Sequence, residues 1–153
     1  MATFYVVRHA KAGSRSHWIG EDRLRPLSKK GFKQAEELVS ILKPFSITAI
    51  FSSPFLRCVQ TAEPLALARH LEMQQSPDLA EGHGLDGAMK VMRDPKLDGA
   101  VLSTHGDIVW ELVEYLVQRR IVKAGEGGYE KGSTWVVDVD GDSPVSARFI
   151  PAG

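Results

Sequence analysis

A chain of 153 residues, 43% apolar and 25% charged, has the size and make-up of one globular domain with a substantial core. Nineteen basic residues balance nineteen acidic ones, which argues against a nucleic-acid partner or an anionic membrane surface. The single cysteine, Cys58, leaves no internal disulfide to form and suits a reducing, cytoplasmic setting.

The first element is "ATFYVVRHAKAGSR". Phe4, Val6 and Val7 predict a central strand buried on both faces, yet it ends abruptly in Arg8-His9. Open α/β sheets hold their chemistry at the carboxyl ends of their strands, so this ending is a candidate site as well as a candidate surface cap. A polar loop over 10–27 follows. Between Arg8 and Lys30 lie seven basic residues (Arg8, Lys11, Arg15, Arg23, Arg25, Lys29, Lys30) against Glu21 and Asp22. That local excess suits an anionic substrate or a solvated loop.

Ser28 is placed to N-cap a helix with Phe32, Ala35, Leu38, Val39 and Leu42 on one face, stopped at Lys43-Pro44. "ITAIF" predicts a second strand, ending at Ser52-Ser53-Pro54. Proline favours the first helical position, so a helix is expected from Ser53-Pro54 to about residue 69. "LEMQQ" predicts a short strand. Gly82, Gly84 and Gly87 predict an irregular loop, with a short helix before Asp94-Pro95.

"GAVLSTHGD" repeats the opening pattern of an apolar strand and a polar turn with a histidine. Its helix turns Ile108, Leu112, Val113, Leu116 and Val117 inward. "STWVVDV" and "VSARFI" predict two closing strands joined by the turn Asp140-Gly141-Asp142. Strands alternating with helices predict a mostly parallel sheet between two helical layers, with an antiparallel pair at its edge. No segment approaches the ~18 apolar residues of a membrane span, and the first residues lack the basic-then-apolar order of a secretory signal.

Parallel strands would bring Arg8-His9, the Ser52-Ser53 turn with Arg57, and Thr104-His105-Gly106 to one edge. Arginine forks match phosphate oxygens and stay charged at any working pH. A neutral imidazole has a lone pair able to attack phosphorus, and fixed cations stabilise the charge of phosphoryl transfer. Helix N-termini after Ser53 and at Gly106 would add backbone donors.

"VVRHAKAG", "SSPFLRCVQTA" and "STHGD" resemble the three signature blocks of the histidine phosphatase superfamily, whose first block is usually Arg-His-Gly. "RPLSKKGFKQA" is similar to the SixA-type phosphohistidine phosphatases, and "RHAKAGSR" resembles the histidine-phosphatase domain fused to Nudix hydrolases. The resemblance runs from the first strand to about residue 110. It implies a phosphoglycerate-mutase-like α/β/α sandwich forming one domain over 1–153, and metal-independent, cofactor-free hydrolysis through a phosphohistidine.

By that resemblance His9 is the nucleophile, Arg8 and Arg57 are phosphate ligands, and His105 and Gly106 complete the phosphoryl site. Alanine at position 10, where glycine is common, is expected to make the pocket slightly fuller. A glutamate after the third strand is often the proton donor in the family, which points to Glu81, with His83 and Asp107 as weaker candidates. Trp18 is a candidate for the substrate mouth, and Lys11, Arg15 and Arg25 for either the mouth or solvent. Cys58, Trp110 and Trp135 are expected to be packing residues, His17 and His70 surface residues.

The short chain leaves little for a lid, which favours a protruding phosphohistidine on a protein. The alternatives are a nucleotide or another small phosphate ester or anhydride, and a non-catalytic phosphate-binding module. A cysteine-dependent phosphatase is excluded because Pro64 stands where an arginine is needed, six positions after Cys58. A metal site of His9, His105 and Asp107 is disfavoured by the adjacent arginines.

Overall fold

The computed structural model describes residues 1–153. Six strands form one sheet, in the order β3-β2-β4-β1-β5-β6. They are β1 (Ala2–Arg8), β2 (Ala49–Ser52), β3 (Met73–Gln75), β4 (Ala100–Thr104), β5 (Thr134–Asp140) and β6 (Ser143–Ile150). The β1–β4, β4–β2 and β2–β3 pairs are parallel, whereas β5 runs antiparallel to both β1 and β6. The expected mixed sheet with an antiparallel pair at one side is what the chain adopts.

Four helices, α1 (Lys29–Ile41), α2 (Leu56–Arg69), α3 (Gly84–Met92) and α4 (Gly106–Gln118), cover the two faces. The period-2 alternation of a strand divides the core between them. Phe4, Val6, Leu102 and Trp135 pack with Met89 and Met92 of α3 and Ile108, Leu112 and Leu116 of α4. Tyr5, Val7, Ile50 and Val101 face the other way, onto Leu38 of α1 and Ala62, Leu65 and Ala66 of α2. β1 is apolar almost throughout because it is covered on both sides.

Helix boundaries follow local chemistry. Ser28 caps α1, its hydroxyl accepting from the Gly31 amide at 3.1 Å. Phe32, expected inward, is exposed at the start of that helix. α2 begins at Leu56, two residues later than Ser53-Pro54 predicts. The Ser53 hydroxyl meets His105 at 2.8 Å and accepts from the Phe55 amide at 3.3 Å, and Phe55 itself is extended, so the helix starts only after it. Gly84 and Gly87 belong to α3 rather than to the preceding loop. Gly87 is required there, since a Cβ would lie 1.9 Å from the Asp78 carbonyl oxygen. Trp135 is buried as expected, but Trp110 is half exposed on the outer side of α4. No helix is long and apolar enough to cross a membrane.

The positioning of the site follows from strand register. Arg8 pairs with Thr104, and Ser52 with Ser103. The His9 amide donates to the Thr104 carbonyl at 2.9 Å, and the Ser53 amide to the Ser103 carbonyl at 2.9 Å. Three carboxyl ends therefore finish level with one another, at the point where the chain order of the sheet reverses around β4 and β1.

Candidate active site

A cleft of about 480 Å³ opens at this edge, lined by Arg8, His9, Arg57, Glu81, His105, Gly106 and Asp107 on its floor and walls. Lys11, Arg15, Arg25 and Lys131 add four more cations. The side chains that the sequence places at three strand ends thus meet in one concavity.

The His9 imidazole is held rigidly. Its Nδ1 lies 2.7 Å from the carbonyl oxygen of Ala10, which can only accept, so the neutral ring carries its proton there and leaves the Nε2 lone pair free. Ala10 is fixed in turn: its amide donates to Thr61 Oγ1 at 2.9 Å, and the Thr61 hydroxyl donates to the Arg57 carbonyl at 2.7 Å. Thr61 stands one helical turn after Arg57 on α2, so one helix supplies an arginine and orients the histidine beside it. The Ala10 methyl packs with Leu27 and Ala35 and does not fill the cleft, contrary to expectation.

Burial pushes the His9 imidazole down to about 3, with Arg57, His105 and Arg8 adding to the shift and the Ala10 hydrogen bond opposing it. Burial, then Arg57, likewise lowers His105 to about 3. Both rings are neutral at pH 7. Their centroids lie 5.8 Å apart, edge to face. His105 Nε2 is within 2.8 Å of Ser53 Oγ and 3.5 Å of Cys58 Sγ, and the Phe55 ring packs against it at 4.7 Å. Cys58 is fully buried, and burial raises its thiol to about 12, so it is a neutral neighbour of His105 and not a thiolate.

Two guanidiniums flank the rings. Arg57 is 1% exposed and lies 5.0 Å above the Phe55 ring. Its Nη1 donates to the Asp22 carbonyl at 3.0 Å, its Nη2 to Asp22 Oδ2 at 3.1 Å and to Glu81 Oε2 at 3.5 Å. Arg8 donates to the Tyr129 carbonyl at 2.8 Å, and burial lowers its pKa. The Nε groups of Arg8 and Arg57 are buried without any partner. Buried donors of native proteins are almost always satisfied, and an orphan costs about 1–3 kcal/mol. Both orphan donors belong to arginines that line this one cleft.

Around this centre, Arg15 and Glu81 line the rim and pair at 3.7 Å. Trp18 does not line the cleft: its indole donates to the Glu21 carbonyl at 2.8 Å, which ties the ring to its own loop. His83 is exposed at the start of α3 and lies outside the cleft, whereas Asp107 lines it and accepts from the Gly82 amide at 3.0 Å. Arg25 is not solvated; it is 6% exposed, bound to Asp22 at 2.9 Å and to the Gly13 carbonyl at 2.6 Å. Burial pushes the Asp22 carboxyl up, but the Arg25 hydrogen bond and the charges of Arg57 and Arg25 outweigh it and hold it below the usual range. Cys58 packs as expected, and His17 and His70 are exposed. His9, His105 and Asp107 do not form a cluster able to hold a metal ion.

Sequence reasoning overlooked Asp22, Thr61, Tyr129 and Lys131 at the site, and placed Ser53 at its edge without the His105 contact. Thr61 had a signal, four residues after Arg57 on a predicted helix. Tyr129 and Lys131 had none, because they lie in a loop that periodicity does not address.

The family model of the histidine phosphatase superfamily (branch 1) matches residues 4–88. The chain belongs to the histidine phosphatase superfamily. The match covers the first two signature blocks, and the third, "STHGD", brings His105 to the same cleft. An 8-oxo-(d)GTP phosphatase of Mycolicibacterium smegmatis is 36% identical over 97% of this histidine phosphatase chain, which spans 48% of that relative's length. A SixA protein of Agrobacterium tumefaciens, assigned as a phosphohistidine phosphatase, superposes with a TM-score of 0.78 at 20% identity, over 99% of this chain and 96% of that one. A mycobacterial glucosyl-3-phosphoglycerate phosphatase superposes at 0.72 with 15% identity, over 97% of each chain. At such identities the superpositions establish the histidine phosphatase fold.

Proposed function

We propose that this chain is a phosphohydrolase that forms a covalent phosphohistidine on His9 and acts on a nucleotide phosphate. The observation that carries the chemistry is the His9 ring, uncharged, with Nδ1 tied to the Ala10 carbonyl and Nε2 free beside two arginines with unpartnered donors. Nε2 attacks the phosphorus, and the bond to the leaving oxygen breaks with its electron pair. Water then attacks the phosphohistidine, restoring the imidazole and releasing inorganic phosphate. Arg8, Arg57, His105 and the Gly106 amide at the start of α4 are the groups that would hold the equatorial oxygens. The reaction uses no metal or cofactor. Glu81, on the rim, is the residue we assign to protonating a poor leaving group such as an alkoxide.

The nucleotide reading is supported by 36% identity over nearly the whole chain to a protein named for 8-oxo-(d)GTP. Two lysines beyond the phosphoryl-binding set, Lys11 and Lys131, also favour a substrate with more than one phosphate. Removal of phosphate from phosphohistidine on a protein is the second reading. It is favoured by the exposed Trp18, Ile19 and Leu24, in the loop whose ends line the cleft, where a protein substrate could rest. Turnover of nucleoside triphosphates, 8-oxo-dGTP among them, is to be compared with that of a phosphorylated histidine-containing phosphotransfer protein. Acid-quenched labelling should trap an acid-labile phosphate on wild type and none on His9→Ala. Full activity of His9→Ala on an aryl phosphate would remove His9 as nucleophile. No turnover of any phosphorylated compound by wild type would favour a binding module.

A further inference from the structure

We propose that Lys11 and Lys131 form a second anion subsite that grips the phosphate adjacent to the one transferred to His9, so that the substrate is a phosphoanhydride rather than a monoester. The inference rests on the nucleotide reading and adds the residues that select within it.

Both lysines line the same cleft as His9, and neither has a carboxylate within 4.0 Å. Apart from Arg8, which belongs to the phosphoryl-binding set, the other cations there are engaged. Arg15 pairs with Asp22 and Glu81, Arg25 with Asp22, and Arg57 with both acids. Lys11 and Lys131 are thus the mouth cations with charge left over. Like charges crowd Lys131: burial, and then Arg8, Arg25, Lys11 and Arg15, hold its ammonium below its ordinary range. Such crowding is relieved by a bound anion.

The backbone fixes the pair far more firmly than exposed lysines require. Gln34 of α1 bridges the two segments, its Oε1 accepting from the Lys11 amide at 2.9 Å and its Nε2 donating to the Lys131 carbonyl at 3.4 Å. The Gly132 amide reaches the Arg8 and His9 carbonyls at 3.1 and 3.2 Å, which ties the Lys131 segment to the end of β1. The Lys11 carbonyl accepts from the Ser28 amide and hydroxyl at 2.9 and 3.0 Å. Gly31 lets α1 approach that carbonyl, since a Cβ there would lie 1.9 Å from its oxygen. Three separate segments are therefore stapled so that two lysines free of carboxylate partners line the cleft that holds the nucleophile.

Chemically the subsite does two things. It binds the bridging and non-bridging oxygens of the neighbouring phosphate. It also meets the charge of the departing group: as Nε2 bonds to the terminal phosphorus, the phosphorus–oxygen bond of the anhydride breaks and its electron pair stays on the diphosphate. That leaving group needs no proton, so this route runs without Glu81.

The test compares a nucleoside triphosphate with p-nitrophenyl phosphate in wild type, Lys11→Ala, Lys131→Ala, the double variant and Gln34→Ala. Binding of inorganic pyrophosphate and of phosphate is measured by calorimetry on the same proteins. The ratio of kcat/KM for the triphosphate to that for the aryl ester should fall at least tenfold in each lysine variant and further in the double variant. Most of the loss should fall in KM. Lys131→Arg should recover much of it, and pyrophosphate should lose affinity where phosphate does not. Gln34→Ala should show the same pattern more weakly. An unchanged ratio with nucleotides still hydrolysed would overturn the subsite while leaving the nucleotide reading intact. Wild type that turns over only the aryl ester would instead end the nucleotide reading itself. A loss confined to a phosphorylated carrier protein would assign the lysines to an acidic protein surface and overturn the proposal.

Discussion

Acidification should unfold this protein through its two buried imidazoles, by an amount the structure sets. His9 and His105 are 6% and 1% exposed, and each is pushed from an ordinary 6.5 to about 3 in the folded chain. Above pH 6.5 neither state binds a proton and the pair has no differential effect. Below it, the unfolded chain takes up a proton on each ring that the folded chain refuses, so stability falls as pH falls and the loss grows until about pH 3. At pH 4.5 the unfolded rings lie two units below their own pKa, which at about 1.4 kcal/mol per unit costs about 2.7 kcal/mol each and about 5 kcal/mol together. That is comparable to the whole stability of a small domain, roughly 5–15 kcal/mol. Asp22, whose carboxyl is depressed, acts in the same direction only below the ordinary carboxylate range, so the window from 6.5 to 4.5 isolates the histidines. Urea denaturation at half-unit steps measures the slope, and His9→Gln should remove about half of it. A stability constant to within ~1 kcal/mol across that window, or a slope that His9→Gln leaves unaltered, would refute the neutral-imidazole reasoning.

A Cβ at Gly106 would lie 2.6 Å from Arg8 Cζ and Nη2, so Gly106→Ala must push the guanidinium aside. Losing one charge-assisted contact of about 1.5–3 kcal/mol predicts a fall of roughly 10- to 100-fold in kcat/KM; unaltered kinetics would mean Arg8 does not touch the substrate. Asp22 holds Arg57 and Arg25 where no phosphate is bound, so Asp22→Asn should destabilise the free protein by roughly 1–3 kcal/mol. Inorganic phosphate should raise the melting temperature of that variant more than that of wild type, and an equal rise would argue against competition for Arg57. Glu81→Gln should slow hydrolysis of alkyl phosphates more than that of anhydrides or phosphohistidine. Equal losses across leaving groups would count against proton donation by Glu81.

The pattern of the sheet was legible because burial on both faces leaves near-continuous apolar runs, and β1 and β4 are such runs. The Ser28 cap and the Asp140-Gly141-Asp142 hairpin were legible for local reasons: a hydroxyl at a helix start, and a glycine at φ +65 between two strands. The start of α2 was misplaced because Ser53 serves His105, a partner 52 residues away that no local rule includes. Phe32 and Trp110 were misread because period alone does not say where a sheet ends and solvent begins.

Amino-acid order by itself determined that Arg8, His9 and His105 stand at strand ends and Arg57 in the first turn of the helix after one, and parallel pairing then had to bring them to one edge. Tertiary structure alone decided their electrical state and their supports. The depression of both imidazoles comes from burial among charges drawn from four segments, and the anchoring of Lys131 beside Arg8 and His9 comes from a loop more than 120 residues distant in the chain. Desolvation and charge coupling depend on distance in space, and only the folded chain sets those distances.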